Sequence, residues 1–199
     1  MASFQRDYLT DPHRAFYPRL PFLVVGAVDR EGRPWATILD GQPGFLQAVD
    51  DRHLRVEAQA DPDDPAISGL QPGAAIGLLG IELETRRRNR LNGHVDTSTP
   101  TAFTVSVDRS YGNCPQYIHT RDLRYTPDDP RRSAPVDRMN RLDDEARDTI
   151  QRSGMFFVAS YAEELTRAVD VSHRGGRPGF VDIDGRVSSS SNDNDNDND

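Results

Sequence analysis

Between Phe22 and Val107, short apolar runs follow one another too closely for long helices to fit between them. "FLVVGAVDREGRPWATILDG" holds two such runs around the charged, glycine-containing turn "DREGR", which predicts a β-hairpin. "GFLQAVDDRHLRVEA" repeats the pattern around "VDDRH". "AAIGLLGIEL" predicts a continuous apolar strand, and "NRLNGHV" and "AFTVSVDRS" predict two more. In "DPDDPAISGLQPG", proline and acidic residues open a short helix and "QPG" closes it. Strands at this spacing define a small barrel or sandwich. Residues from about Pro18 to Val107 contain every strand of such a closed unit.

"RLDDEARDTIQRS" predicts a helix, with Leu142, Ala146 and Ile150 at helical spacing. The proline-rich, charged stretch 120–137 before it reads as a linker. After the helix comes "MFFVASYAEELTRAVDVSHRGGRPGFVDIDGRV". From Phe156 to "PGF" at Pro178 it matches, in order and nearly in length, the stretch from Phe22 to "PGF" at Pro43. Each has an apolar strand, a polar turn, a second strand and a glycine-containing turn. This is an internal duplication. The second unit supplies strands beginning at Phe156 and near Val169, and a short third at Val181–Ile183, and then stops. Ser188 to Asp199 alternates Asn and Asp after four serines, a composition that cannot offset its ordering entropy. The expected organisation is a barrel over 1–119, a linker and helix over 120–153, an incomplete second barrel unit over 154–187, and a disordered tail over 188–199.

The net charge is -8, which argues against a nucleic-acid partner, because basic groups dominate phosphate-backbone binding. All 24 basic residues are arginine, so lysine-based Schiff-base and P-loop chemistry is excluded. A single cysteine, Cys114, excludes an internal disulfide and a cysteine-cluster zinc site, and fits a cytoplasmic setting. The sequence has no apolar run of membrane-spanning length and no apolar secretory leader.

Three stretches carry candidate chemistry. "LETRRRNRLNG" places Arg86, Arg87, Arg88 and Arg90 between two strands. On a strand, Arg86, Arg88 and Arg90 share one face and Arg87 takes the other. Guanidinium forks match phosphate geometry, although a solvated hairpin turn has the same composition. "DRSYGNCPQYIHTRD" offers Asn113 as a hydrogen-bonding group, and Tyr111 and Tyr117 as stacking surfaces. Cys114 has no activating base nearby in sequence and reads as structural. "DVSHRGGRPGF" brings Ser172, His173 and Arg174 beside flexible glycines, a pattern suited to an anion or to a plain hairpin turn. Ser172 and His173 are strand neighbours on opposite faces and do not form a hydrolase pair. The histidines lack metal-ligand spacing.

These segments, "NCPQYI" and "DVSHRGGRPGFV" above all, resemble the pyridoxamine 5'-phosphate oxidase-like FMN-binding split-barrel family, in its tandem subgroup. The resemblance covers most of residues 13–187. It implies a mainly β, α+β chain: a six-stranded antiparallel split barrel with short helices, followed by a helix and an incomplete second barrel. It further implies FMN as cofactor, held by Arg86, Arg87, Arg88, Arg90, Asn113, Ser172, His173 and Arg174, a small-molecule substrate, and a homodimer. Catalysis would then be flavin-dependent oxidoreduction, with no obligatory catalytic side chain. In the family, the segment after "PGFV" usually runs on to a glycine-asparagine stretch that closes the flavin pocket. Its replacement here by the serine-led tail supports an alternative, a non-catalytic flavin-binding or interaction module.

Overall fold

The computed structural model describes residues 5–58, 61, 63–123, 139–162 and 168–183. The tail and most of the expected linker lie outside them. The chain forms two units, one of Met1–Pro135 with Met155–Gly175, the other of Val136–Gly154 with Gly176–Asp199.

The larger unit opens with α1 (Asp11–Arg14) and a 3-10 turn (Tyr17–Arg19). The strands β1 (Phe22–Val28), β2 (Pro34–Asp40), β3 (Leu46–Ala48) and β4 (His53–Glu57) follow. Next come α2 (Pro65–Ser68), β5 (Ala75–Glu82), β6 (Arg87–Thr99) and β7 (Ala102–Asn113). All seven strands pair antiparallel in the order β2-β1-β5-β6-β7-β4-β3. The edge strands β2 and β3 are consecutive in sequence, and six peptide steps reach at most about 20 Å. The two edges are therefore drawn together and the sheet curls into a barrel. The fold is mainly β with short helices, as the sequence predicts. The short β3 makes the seventh strand.

The β1–β2 turn explains why this hairpin forms. Gly32 sits at φ 82, a conformation that favours glycine. The buried Asp29 carboxylate accepts hydrogen bonds from Glu31 N (3.0 Å), Arg33 N (2.8 Å), Arg33 Nε (2.7 Å) and Trp35 Nε1 (2.8 Å). Inside the barrel, Leu23, Val25, Ile76, Leu78, Leu91 and Val105 pack with Phe16, Tyr17 and Leu20 from the lead-in.

The remaining strands, β8 (Met155–Ala162) and β9 (Ala168–Gly175), pair as a separate two-stranded sheet in the same unit. This hairpin lies on the outer face of β1 and β5. Val171 joins Val24, Leu79, Ile81 and Ile118 in a second apolar cluster, with Met155 and Phe157 packed against it. The barrel strands expected over 18–107 therefore carry a second, covered face in addition to the barrel interior. β1 and β5 are buried on both faces, which is why they read as continuous apolar runs rather than alternating ones. Gly26 and Gly77 are register partners at the crossing. A Cβ on Gly26 would lie 3.0 Å from Val171 Cβ, and one on Gly77 would lie 2.8 Å from the Val169 carbonyl oxygen. Close approach of β9 requires glycine at both.

The smaller unit contains α3 (Asp144–Arg152), capped by the Asp143 side chain, which accepts from Ala146 N at 2.8 Å. Leu142 precedes the cap and is exposed, so it lies outside the helix in which the spacing had placed it.

The duplication has a structural counterpart in "GQPGF" (41–45) and "GRPGF" (176–180). Each is a type II turn with its second glycine at positive φ, 101 for Gly44 and 86 for Gly179. Phe45 N donates to the Gln42 carbonyl and Phe180 N to the Arg177 carbonyl, both at 3.0 Å. Gly44 N and Gly179 N donate at 2.7 Å to Pro18 and Gln151, each in the helical turn before a first strand. Gly41 N and Gly176 N donate at 3.1 Å to Pro21 and Gly154, each just before that strand. The third strand expected at Val181–Ile183 does not form. Its counterpart, β3, is a strand because β4 pairs with it. No strand pairs with 181–183 among the described residues.

Candidate functional site

Strand β6 places Arg88, Arg90 and Asn92 on its outer face, beside their β7 register partners Asn113, Tyr111 and Arg109. Strand β9 runs along this face. Arg90 Nη1 donates to Asp170 Oδ2 at 2.6 Å and Nη2 to Ser172 Oγ at 2.9 Å. Asn92 Nδ2 donates to the Val169 carbonyl at 2.6 Å. Arg88, only 9% exposed, donates from Nη2 to the Cys114 carbonyl. His173 is 4% exposed, its ring 5.8 Å from that of Phe157.

These contacts leave buried polar atoms unused. Among the described residues, Arg88 Nε, Arg90 Nε and both ring nitrogens of His173 have no hydrogen-bond partner. Burial, then the neighbouring Arg90 and Arg174, hold Arg88 below its ordinary value. Burial, then Arg88, His119 and Arg174, push His173 down to about 4, so its imidazole is neutral. Among the described residues, neither Arg88 nor Arg174 is ion-paired with a carboxylate. Next to this wall, Asn92, His94, Asp108, Arg109, Tyr111 and Asp170 line much of a groove of ≈ 510 Å³.

The structure therefore brings Arg88, Arg90 and Ser172 to one wall, with Asn113 across from Arg88, the buried His173 on the other face of β9 near Arg88, and Arg174 exposed beside it. The other arginines of the candidate set sit elsewhere. Arg86 precedes the strand at φ 61, so it does not share the face of Arg88 and Arg90 as the alternation predicts. Arg87 turns to the opposite face, as expected. There its guanidinium lies 4.9 Å from the Phe16 ring centroid and donates to the Pro12 carbonyl at 2.8 Å. Asn113 Oδ1 accepts from Cys114 N at 3.0 Å, which shapes the turn that carries the Cys114 carbonyl. Tyr117 is exposed, at φ 64.

Sequence reasoning did not single out Asn92 or Asp170. Both were within reach of the alternation rule, two residues from Arg90 and from Ser172 on the same faces. A serine–histidine contact elsewhere, His13 Nδ1 with Ser110 Oγ at 3.3 Å, is structural, because that hydroxyl donates to the Tyr8 carbonyl at 2.6 Å. Among the described residues no His, Cys, Asp and Glu cluster could hold a metal ion, and no helix is long and apolar enough to cross a membrane.

No protein-family model matches the chain, and no curated protein matches it. Solved structures do. One is HupZ of Group A Streptococcus, at 14% identity over 52% of this chain and 93% of that one, TM-score 0.40. Another is an FAD and heme binding protein from Mycobacterium smegmatis, at 12% identity over 60% of this chain and 76% of that one, TM-score 0.37. A third is an F420 reductase, at 12% identity over 51% of this chain and 95% of that one, TM-score 0.34.

Proposed function

We propose that this chain is a flavin-binding protein of the split-barrel type and that its cofactor is FMN, used for oxidoreduction of a small molecule in the cytoplasm. The observation that supports this reading is the set of unused donors on the β6–β9 wall. A buried polar group left unpaired costs roughly 1–3 kcal/mol. A phosphate offers acceptors to several such groups at once, so these residues fit the group. Arg88, Arg90 and Arg174 would hold it by charge-assisted bonds, with Ser172 and His173 beside them. Tyr111 offers an aromatic face in the adjoining groove, and Asn113 a polar edge. Bound FMN supplies hydride and electron transfer at its ring; the chain binds and orients it. Arg86 and Arg87 lie off the wall and contribute only to the local positive potential.

The test is titration with FMN and with riboflavin, followed by flavin absorbance and fluorescence. Arg88→Ala should weaken FMN about ten- to a hundred-fold, matching roughly 1.5–3 kcal/mol for hydrogen bonds to a charged group. Riboflavin binding should barely change. Equal losses for both ligands, or no flavin binding by the unaltered chain, would sink the proposal.

One observation favours the second reading, a non-catalytic interaction module that pairs as a homodimer. By the turn equivalence, Phe156 and Val158 of β8 occupy the positions of Leu23 and Val25 of β1. Leu23 and Val25 are fully buried in the barrel, whereas Phe156 and Val158 are 38% and 40% exposed. Light scattering at tens of micromolar decides it: a monomer there removes the homodimer.

A further inference from the structure

We propose that His173 sets the charge this wall accepts: it takes up a proton as a dianionic phosphate monoester binds, and the site thereby rejects singly charged oxyanions such as phosphodiesters. This rests on the phosphate reading above and names the ligand class of that same site.

The His173 ring is surrounded by cations and apolar groups. From β6 comes Arg88, and from β9 itself Arg174. The segment after β7 contributes His119 and the Tyr117 carbonyl, with Cys114 against Arg88. From β8 comes the Phe157 ring. β1 and β5 bring Phe22, Val24, Leu79 and Ile81 to this layer, all apolar. The carboxylate at the end of β5, Glu82, is bound to Arg19 at 2.7 Å. The one carboxylate on β9, Asp170, is committed to Arg90. An imidazolium would therefore add a further cation to a group that has one anion.

A dianion reverses this balance. Arg88, Arg90 and Arg174 with Asp170 carry two net positive charges, which a dianion neutralises and a monoanion does not. The repulsion that adds to burial in keeping the ring neutral is then offset. A fully ionised oxyanion is also purely an acceptor. A neutral imidazole has one N–H to offer, and an imidazolium has two. For the second, the Tyr117 carbonyl lies on the same side of β9 as the ring. The Tyr117 carbonyl oxygen and His173 Cε1 both crowd the place where a Cβ on Gly175 would sit, at 2.2 and 2.8 Å. Burial makes the histidine sensitive to this change, since a charge 96% removed from solvent is governed by its immediate neighbours.

The linkage has a definite sign. The free ring titrates near 4, and the complexed ring must titrate higher if binding takes up a proton. Affinity then rises as pH falls between those two values, by up to about ten-fold per pH unit. Inorganic sulfate keeps both charges throughout this range, so its pH dependence reports the protein alone.

The experiment is calorimetric titration of the full chain with sulfate, dimethyl phosphate and FMN near pH 6, in two buffers of different ionisation enthalpy. We expect close to one proton taken up per sulfate bound, at least ten-fold weaker binding of dimethyl phosphate, and loss of both effects in His173→Asn. Sulfate binding with no proton uptake by the unaltered chain overturns the inference, whether or not the variant folds. Undiminished uptake in a folded His173→Asn overturns it too. FMN is about half monoanionic near pH 6, so binding it as the dianion gives up about half a proton; FMN binding with net proton release removes this inference and keeps the flavin reading. Sulfate binding with uptake and no affinity for FMN keeps this inference and removes the flavin reading. Failure of the unaltered chain to bind any of the three removes both.

Discussion

One buried histidine, one half-buried histidine and one buried carboxylate divide the acid side of the stability curve between them. His173 titrates near 4 in the folded chain, through burial first and the arginines and His119 after it. His13 is lowered by burial, then by Arg87 and Arg6. An unfolded imidazole titrates near ~6.5. The folded chain thus binds fewer protons, and stability present above ~6.5 is lost as pH falls toward about 4. Asp29 acts lower down. Burial opposes its ionisation, but the hydrogen bonds from Arg33 N, Trp35 and the Arg33 guanidinium, with that guanidinium's charge, hold it down to about 2. Its contribution is complete above ~4 and disappears as pH falls through about 2. Urea midpoints at pH 7, 5 and 3 should therefore show two losses. His173→Asn should flatten the first and leave the second. An unchanged drop between pH 7 and 5 in that variant would assign the first loss to His13 alone.

At the scale of elements, the site depends on how closely β9 crosses β1 and β5. Gly77→Ala puts a methyl group against backbone, 2.8 Å from the Val169 carbonyl oxygen and 3.0 Å from Asp170 Cα. Backbone cannot swing aside as a side chain can, so β9 must lift. Overpacking of this kind costs typically about 1–3 kcal/mol. The same shift draws Asp170 and Ser172 away from Arg90, so anion affinity should fall with stability. Gly112→Ala, which meets only Asn89 Oδ1 at 3.6 Å, is the matched control. A Gly77→Ala chain with wild-type denaturation and anion binding would refute the close crossing. This crossing marks where sequence reading stops. Glycine turns and alternating runs are local signals, so the hairpins, the arginine strand and the repeat were legible. The pairing of Arg90 with Asp170 spans 80 positions and follows from tertiary packing alone. The face shared by Arg88 and Arg90 was readable, whereas Arg86 was not, because its positive φ ends the alternation. The strand expected at 181–183 failed for a related reason. Its β-forming residues are present, but a strand exists only where a neighbour pairs with it.

At the scale of the molecule, the β8–β9 hairpin completes the larger unit. Cutting the chain after Tyr117 strips Val171, Met155 and Phe157 from the second apolar cluster, and Ile118 with them. Each fully buried aliphatic side chain is worth about 1.5–3 kcal/mol, against a typical total of about 5–15 kcal/mol. The shortened chain should melt without cooperativity and bind a hydrophobic dye; a sharp, dye-free transition would show that the barrel stands alone. The order of the strands carries the point into the ribosome. β7 ends at Asn113 and β9 at Gly175, and elongation proceeds at ~5–20 residues per second. For roughly 3–12 s the nascent barrel presents Val24, Leu79 and Ile81 with nothing over them, long enough for chaperones to engage that face. The arginine wall is assembled only when the hairpin docks, because Asp170 and Ser172, the partners of Arg90, are made 80 and 82 positions after it.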